Sequence, residues 1–402
     1  MKTDQIQKVH KDWYKLDLSA IVYPTLQRRD FSSVYRLSVL LKEDIDPEIL
    51  QRAVNLTMPR FPTYKAAIRK GVFWRYLEPN DRPGPFVQED VKNPCQPMHF
   101  KGNNRYLVRI YYYRNRIALE AHHSLGDGTG GMCVLQTLTA TYLRLKGHSE
   151  IENGGFVLDI LGIPDPGELE DAYMKYANAK VCPPRPGEKT YRVRGTKEPF
   201  YTLNIIDGIM SVSEVMQVAK SYNATITEYL NSVLLYALMQ KQEREWHLKL
   251  RPVKIAMPVN LRRFFPSRTL RNFITMIYPG IDPRLGEYTF EEIVTQVHNY
   301  MRYYLNEKLL RGDITTNAET QRNPFIRIVP LFIKDLVVRQ FYTKIQDKNS
   351  SAGLTNMGAL KVPETMKPYI ERFDIYMGQP FSTRTNCAIA SFEDILTINF
   401  AS

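Results

Sequence analysis

The stretch Ala121–Gly131 reads AHHSLGDGTGG and places two adjacent histidines at the end of an alternating segment, Arg116–His122 (RIALEAH), that is typical of a β-strand. Glycines then fill four of the six positions from 126 to 131, and helical spacing of apolar residues follows from about 129 to 146. Because side chains along a strand alternate between its two faces, His122 and His123 are predicted to point in opposite directions. Coordination of one metal ion by both histidines is therefore disfavoured.

His123 is the candidate catalytic base. A side chain at a strand end, followed by Gly126 and Gly128 that permit a tight or left-handed turn, suits delivery into a cleft at the start of the next helix. An imidazole with its ordinary pKa of about 6.5 accepts a proton from an alcohol, amine or thiol near neutral pH and returns it later. Asp127 has two interpretations, a helix N-cap or a buried carboxylate paired with an arginine, and both are structural.

The rest of the chain predicts a mixed α/β (α+β) protein in two parts, because 402 residues exceed the usual size of one hydrophobic core. The glycine-, proline- and charge-rich stretch from 147 to 199 is interpreted as a crossover, which divides the chain into 1–165, 166–198 and 199–402. Periodicity predicts helices over about 46–56, 225–242, 289–310 and 332–345, and strands at 34–41, 106–113, 200–206, 253–258, 352–357, 373–377, 386–392 and 396–400.

The amino-acid composition limits which cellular compartment and which kinds of partner are expected. The formal net charge of +12, from 54 basic and 42 acidic residues, fits either an anionic partner or a merely basic surface. The longest apolar run, Val233–Met239, is far shorter than the roughly 18 residues that span a bilayer, and the N-terminus has no secretory apolar region, so a cytoplasmic location is expected. The cysteines form no CxxC pair and are expected to be free thiols: Cys95, Cys133, Cys182 and Cys387.

The segment HHSLGDG at His122–Gly128 resembles the HHxxxDG signature of the acyltransferase superfamily that includes chloramphenicol acetyltransferase, peptide-synthetase condensation domains, plant BAHD enzymes and alcohol acetyltransferases. PVNLRRFFPSRTLRNF at Pro258–Phe273 is similar to the family segment whose arginine pairs with the motif aspartate, which implies that Arg262 pairs with Asp127. LTNMGAL at 354–360 resembles a strand that faces the family's tunnel, and YMGQP at 376–380 resembles its later Gly-x-Pro element.

Two departures narrow this resemblance. The DFGWG sequence of the plant enzymes is absent, and the bacterial alcohol acetyltransferase-like proteins are the most similar subgroup. The chain also ends at Ser402 directly after a predicted strand, where relatives usually continue into another helix. Either that helix is lacking or the chain is trimmed.

The resemblance implies two chloramphenicol-acetyltransferase-like lobes, each a mixed sheet with flanking helices, and a tunnel between them that acyl thioester and acceptor enter from opposite faces. It implies catalysis by His123 as general base together with Asp127, supported by His122, Gly128 and Arg262. Thr355 and Asn356 are the candidate hydrogen-bond donors to the oxyanion, and the alternative is that they only cap a strand. The co-substrate would be an acyl-coenzyme A or phosphopantetheine thioester, with no metal and no permanently bound cofactor.

The expected partners are a small alcohol or amine acceptor and, as an alternative donor, an acyl carrier protein; a monomer that binds no nucleic acid is expected. The main rival function is a non-catalytic, condensation-like protein that binds a pantetheine-bearing partner between the lobes. A metallohydrolase would need a third metal ligand at recognisable spacing, which the sequence lacks. A nucleic-acid binder would need basic and aromatic residues on one surface, which net charge alone does not establish.

Overall fold

The computed structural model describes residues 13–27, 31–91, 93–181, 187–196, 198–199, 202–245, 249–344, 349–378 and 385–402. Its strands are β1 Tyr14–Lys15, β2 Val34–Leu41, β3 Ala66–Lys70, β4 Arg75–Pro79, β5 Val87–Glu89, β6 Val108–Tyr113, β7 Arg116–His122, β8 Ile205–Ser211, β9 Val253–Asn260, β10 Ile274–Ile277, β11 Gly280–Ile281, β12 Ala352–Ala359, β13 Ile370–Met377, β14 Asn386–Phe392 and β15 Ile395–Ala401. Its α-helices are α1 Val22–Leu26, α2 Pro47–Thr57, α3 Gly128–Leu145, α4 Ala172–Tyr176, α5 Val212–Ser221, α6 Ile226–Arg244, α7 Phe290–Tyr304, α8 Glu307–Arg322, α9 Pro324–Arg327 and α10 Leu331–Lys344.

Two mixed sheets organise the molecule. The first has the order β13-β2-β7-β6-β5, antiparallel except for the parallel pair β5 and β6. The second has the order β10-β9-β12-β14-β15-β8, with β11 beside β9, and β12 runs parallel to both of its neighbours. A small sheet of β1, β4 and β3 flanks the first. The predicted fold class is confirmed, because each large sheet is mixed and carries helices.

The hydrophobic core is divided in the same way. The largest cluster of buried side chains joins the first sheet to α2 and α3, and α3 is buried along nearly its whole length from Gly130 to Leu143. A second cluster joins the other large sheet to α6 and α7. Because α3 is enclosed on all sides, the segment that precedes it is held firmly where the two halves meet.

Most helix starts agree with the caps that the sequence carries. Asp46 caps α2, Thr225 and Glu228 form a capping box on α6, and Thr289 and Glu292 form another on α7. The helix predicted over 289–310 is wrong as one element, because it ends at Tyr304 and Asn306 caps a new helix, α8. The strand predicted at 200–206 is displaced to Ile205–Ser211, and residues 200 and 201 lie outside the described residues.

The division of the chain at 166–198 stays a prediction. One strand from beyond that stretch, β13, pairs with β2 in the first sheet, with Phe373 opposite Val39. Within the described ranges, no helix combines the length and apolarity needed to cross a bilayer.

Candidate active site

The end of β7 carries the two histidines into the space between the sheets. β7 lies between β2 and β6, and the N–H of His123 still donates to the carbonyl of Ser33 at 2.8 Å. The chain then turns, with the Leu125 N–H donating to the His122 carbonyl at 3.0 Å, and α3 starts at Gly128. The position of His123 is therefore fixed by the last bonds of a central strand.

His122 and His123 point in different directions, as strand alternation predicts. His122 is completely buried, packs edge-on against Phe100 and accepts a hydrogen bond at Nδ1 from the Ser124 N–H at 3.2 Å. Burial lowers the pKa of His122 to about 3, with a smaller contribution from the neighbouring His123. This imidazole is neutral at physiological pH and serves the packing of the turn.

His123 is half-buried between two tyrosines. Its ring stacks on Tyr23 at a centroid distance of 4.6 Å and is tilted against Tyr35 at 4.7 Å. Burial lowers the pKa of His123 below its usual value, and the hydrogen bond between its Nδ1 and the Asn272 Oδ1 and the nearby Asp127 carboxylate only partly oppose that effect. The ring is therefore uncharged near neutral pH and able to accept a proton.

Asn272 fixes the tautomer of that ring. Its amide Nδ2 lies 2.8 Å from the backbone carbonyl of His123, which can only accept, so the amide nitrogen must face that carbonyl. The Asn272 Oδ1 then lies 3.3 Å from His123 Nδ1 and must accept the ring proton there. His123 Nε2 is left unprotonated, which is the state that a general base requires.

Asp17 holds Asn272 in this orientation. The two oxygens of its fully buried carboxylate lie 3.3 and 3.1 Å from the Asn272 Nδ2, and they also accept the backbone N–H groups of Ala20 and Asn272. Desolvation raises the pKa of Asp17, opposed mainly by the Arg271 guanidinium, whose Nε lies 3.7 Å from the carboxylate. A chain of buried polar groups thus runs from Arg271 through Asp17 and Asn272 to His123.

Asp127 fulfils both of the structural roles considered for it. Its Oδ1 caps α3 by accepting the N–H groups of Thr129 and Gly130 at 3.1 and 3.2 Å. Its Oδ2 accepts from Arg262 Nη1 at 2.8 Å and from the Phe273 N–H at 2.9 Å. Because the cap belongs to α3 and the other donors to the segment after β9, this single carboxylate ties the two sheets together.

Arg262 is fully engaged as a structural partner. Its Nε donates to the Thr269 carbonyl at 2.9 Å, and its Nη2 donates to the Arg271 carbonyl at 2.6 Å, in addition to the Asp127 contacts. A guanidinium with this many fixed acceptors holds the 269–273 segment in place. That segment carries Asn272, so the Asp127–Arg262 pair also positions the partner of the His123 imidazole.

The glycines of the motif allow close approach of neighbouring segments from both parts of the chain. A Cβ atom on Gly130 would lie 1.9 Å from the Leu270 carbonyl oxygen, and one on Gly131 would lie 2.6 Å from the Tyr35 hydroxyl. Gly126 and Gly128, expected to provide tight or left-handed backbone, are not among the residues with positive φ. Gly126 instead makes room for the Leu270 carbonyl and the Tyr64 hydroxyl, each 2.5 Å from its absent Cβ.

Gly130→Ala is expected to destabilise the protein by about 1–3 kcal/mol, the usual cost of overpacking, because the clash is with a backbone carbonyl. The matched control is Gly195→Ala, at an exposed glycine whose Cβ would meet nothing within 4 Å, with an expected change of at most about 0.5 kcal/mol. Urea unfolding of both variants measures the difference. Equal stability of the two would contradict the close approach described above.

β12 places Thr355 and Asn356 on different sides. The Asn356 Nδ2 donates to the Thr227 hydroxyl at 2.9 Å and its Oδ1 accepts the Gly358 N–H at 2.7 Å, so this amide is engaged at the start of α6. Met357 faces the motif, because its sulfur lies 3.0 Å from the position of a Cβ on Gly128. Thr355 lies beside Ala388 of β14, which belongs to the core cluster against which Met357 packs, so Thr355 and Met357 share a face of the sheet.

Sequence reasoning missed Asn272, Asp17, Tyr23 and Tyr35 as parts of this site. Asn272 and Phe273 end the arginine-rich segment that was quoted for its resemblance, and that position was the available signal. Gln379 and Pro380 of the YMGQP segment lie outside the described residues, as does Cys182, whereas Cys95, Cys133 and Cys387 are free thiols. In the part of the chain that the structure describes, no cluster of three metal-ligating side chains is found.

Solved structures that are similar in fold include polyketide synthase associated protein 5 from Mycobacterium tuberculosis, at TM-score 0.56 and 14% identity over 96% of this chain and 92% of that one. A variant starter condensation domain of rhizomide synthetase RzmA, bound to C8-CoA and Leu-SNAC, has a TM-score of 0.61 and 12% identity, over 99% of this chain and 90% of that one. Trichothecene 15-O-acetyltransferase from Fusarium sporotrichioides has a TM-score of 0.55 and 13% identity, over 96% of this chain and 89% of that one.

The chain therefore has the two-lobed fold shared by condensation domains and chloramphenicol-acetyltransferase-like acyltransferases. The identities are low, so this similarity concerns the fold. No family model matches the chain, and no curated protein is significantly similar to it in sequence.

Proposed function

We propose that the protein transfers an acyl group from a coenzyme A or carrier-protein thioester to an alcohol or amine, with His123 as general base. The observation that carries this proposal is the neutral imidazole whose Nδ1 proton is held by Asn272. The fold supports the same class of reaction, because structures that share it include an acetyltransferase and a condensation domain bound to C8-CoA. The resemblance of HHSLGDG to the motif of alcohol acetyltransferases makes short acyl-coenzyme A thioesters and alcohols the first substrates to test.

In this reaction His123 Nε2 accepts the proton of the acceptor O–H or N–H while the acceptor atom attacks the thioester carbonyl carbon. The resulting tetrahedral intermediate carries an oxyanion, and its collapse breaks the carbon–sulfur bond. The imidazolium then returns its proton to the departing thiolate, so the enzyme ends the cycle unchanged. General acid–base catalysis of this kind contributes about 10²–10⁴-fold to the rate.

Thr355 is the better candidate for the donor to the oxyanion. Its hydroxyl shares the face of β12 that meets the motif, whereas the amide of Asn356 is already bonded to Thr227 and Gly358. Hydrogen bonds aimed at the developing oxyanion are among the largest contributions to acyl transfer. Asn356 would then serve the packing of β12 on α6.

The test is a matrix of acyl-coenzyme A thioesters of increasing chain length against alcohols and amines, followed by detection of free thiol. Thiol release that requires both a thioester and an acceptor, together with the acylated product by mass spectrometry, is the expected result. Binding of the thioesters with no acceptor-dependent release across the whole matrix would instead favour the non-catalytic, pantetheine-binding alternative.

Asn272→Ala is expected to lower kcat by about tenfold to a hundredfold with little change in KM, because the ring loses the partner that sets its orientation. Since the Asn272 hydrogen bond raises the pKa of His123, its loss should also move the acid limb of the pH–rate profile to lower pH. In the wild type that limb should itself lie below about pH 6.5, the usual histidine value.

The matched control for Asn272→Ala is Asn153→Ala, which removes an exposed amide bonded to Arg144 and should leave the profile unchanged. Melting temperatures of both variants check that they are folded. An Asn272→Ala enzyme with an unchanged kcat and pH profile would contradict the assigned tautomer.

A further inference from the structure

A large apolar surface is exposed next to the candidate site. It is formed by the tip of the β3–β4 hairpin and the outer faces of α9 and α10, and we call it the apolar patch: Val72, Trp74, Phe325, Phe332, Leu336 and Val337. Phe325 and Phe332 are 77% and 73% exposed, values that are unusual for two phenylalanines on neighbouring helices. Soluble surfaces rarely leave such a contiguous group uncovered unless something binds there.

The hairpin and the helices form one continuous surface. The Leu331 N–H donates to the Val72 carbonyl at 2.9 Å, and the Lys334 ammonium donates to the Phe73 carbonyl at 2.9 Å. The outward residues Phe332, Ile333, Leu336 and Val337 follow the spacing of one face of α10. The patch is therefore an exposed apolar strip along α10, extended by the hairpin tip.

Its charge is strongly positive. Residues 321–344 contain five basic residues and a single acidic residue, Asp335. Asp335 is turned inward, where its carboxylate pairs with Arg75 at 2.6 Å and accepts from the Thr25 hydroxyl at 2.9 Å. The exposed Lys70 and Arg327 add to the positive charge around the patch.

The inner face of α10 is anchored close to the catalytic histidine. Besides the Asp335 contacts, the Arg339 Nε donates to the Thr25 carbonyl at 2.8 Å. Thr25 belongs to α1, the helix whose Tyr23 stacks on His123. A partner bound to the apolar patch would therefore lie one short helix away from the candidate site.

We propose that the apolar patch docks on a phospholipid bilayer that contains anionic headgroups. Exposed aromatic and aliphatic side chains on one helix face, surrounded by lysine and arginine, are what an interfacial helix presents to a membrane. Anionic headgroups neutralise the surrounding basic residues. A second copy of the chain fits less well, because two like-charged surfaces would meet. This proposal is independent of acyl transfer.

The test uses the full chain and two kinds of vesicle, phosphatidylcholine alone and phosphatidylcholine with about 30 mol% phosphatidylglycerol. Co-sedimentation with the anionic vesicles, weakened by salt, and a blue shift of tryptophan fluorescence that Trp74→Phe reduces are expected. Phe325→Ser combined with Phe332→Ser should weaken binding at least about tenfold. Lys70→Gln combined with Arg327→Gln should weaken it about fivefold for each charge removed.

Matched controls are Leu161→Ser and Ile206→Ser, which remove apolar residues that are 89% and 71% exposed outside the patch, and Lys308→Gln, which removes an exposed charge elsewhere. These variants should bind vesicles like the wild type. Absence of binding to either vesicle would overturn the proposal. So would a concentration-dependent dimer in sedimentation velocity that the double serine variant abolishes while vesicles remain unbound, because the patch would then be a self-interface.

Discussion

Replacement of His123 by alanine is expected to lower acceptor-dependent thiol release from acyl-coenzyme A by about 10²–10⁴-fold, the contribution of general acid–base catalysis. The imidazole is neutral, its Nδ1 proton is committed to Asn272, and its Nε2 is the basic atom that the substitution removes. The measurement is the initial rate of free-thiol formation with the best thioester and acceptor pair. kcat should fall far more than KM changes.

The same variant should remain folded. His123 is half-buried and stacked on Tyr23, so loss of the ring is expected to lower the melting temperature by only about 2 °C, as for a loss of about 1 kcal/mol. His99→Ala is the matched control. Because His99 is exposed, its replacement should change neither the rate of thiol release nor the melting temperature. Full activity in His123→Ala would end the general-base proposal, whatever the reaction turns out to be.

The second large effect is expected for Asp127→Asn, which should destabilise the protein by about 3–5 kcal/mol. Every group that contacts this carboxylate is a donor, from the N–H groups that start α3 to the Arg262 guanidinium. An amide presents its own NH₂ to some of these donors and leaves unpaired the charge of Arg262, whose side chain is only 11% exposed. Thermal unfolding should show a loss of about 6–10 °C in the melting temperature.

The kcat of Asp127→Asn should also fall, by at least about tenfold. The reason is that the 269–273 segment, which carries Asn272, loses its anchor to α3. Asp165→Asn is the matched control. It breaks a solvent-exposed pair with Arg268, in which the two side chains are 45% and 82% exposed, and should cost at most about 1 kcal/mol. Similar melting temperatures for the two variants would contradict the role assigned to Asp127.

The local elements around the motif could be predicted from sequence because their patterns are strong. β7 and α3 begin and end within about one residue of their predicted limits, and Gly147, with φ of 115°, follows the end of α3 where a glycine commonly stops a helix. The opposite directions of His122 and His123 follow from strand geometry alone. The pairing of Arg262 with Asp127 came from the family resemblance, and the two side chains do meet.

Contacts between distant parts of the chain could not be predicted in the same way. Asn272 is 149 residues from His123 and 255 from Asp17, and no periodicity in one segment identifies a partner in another. For the same reason the pattern of 373–377 predicts a strand but not its position beside β2 in the first sheet. The site is completed by an N-terminal segment that carries Asp17 and Tyr23, which local sequence gives no reason to place there.

The most direct test of the central claim is the protonation state of the His123 ring, read from ¹⁵N NMR of histidine-labelled protein and assigned by comparison with His123→Ala. We expect a neutral ring at neutral pH, with the proton on Nδ1 and none on Nε2, that becomes charged only below the usual pKa of about 6.5. A ring protonated on Nε2, or one that is already cationic at neutral pH, would contradict the account.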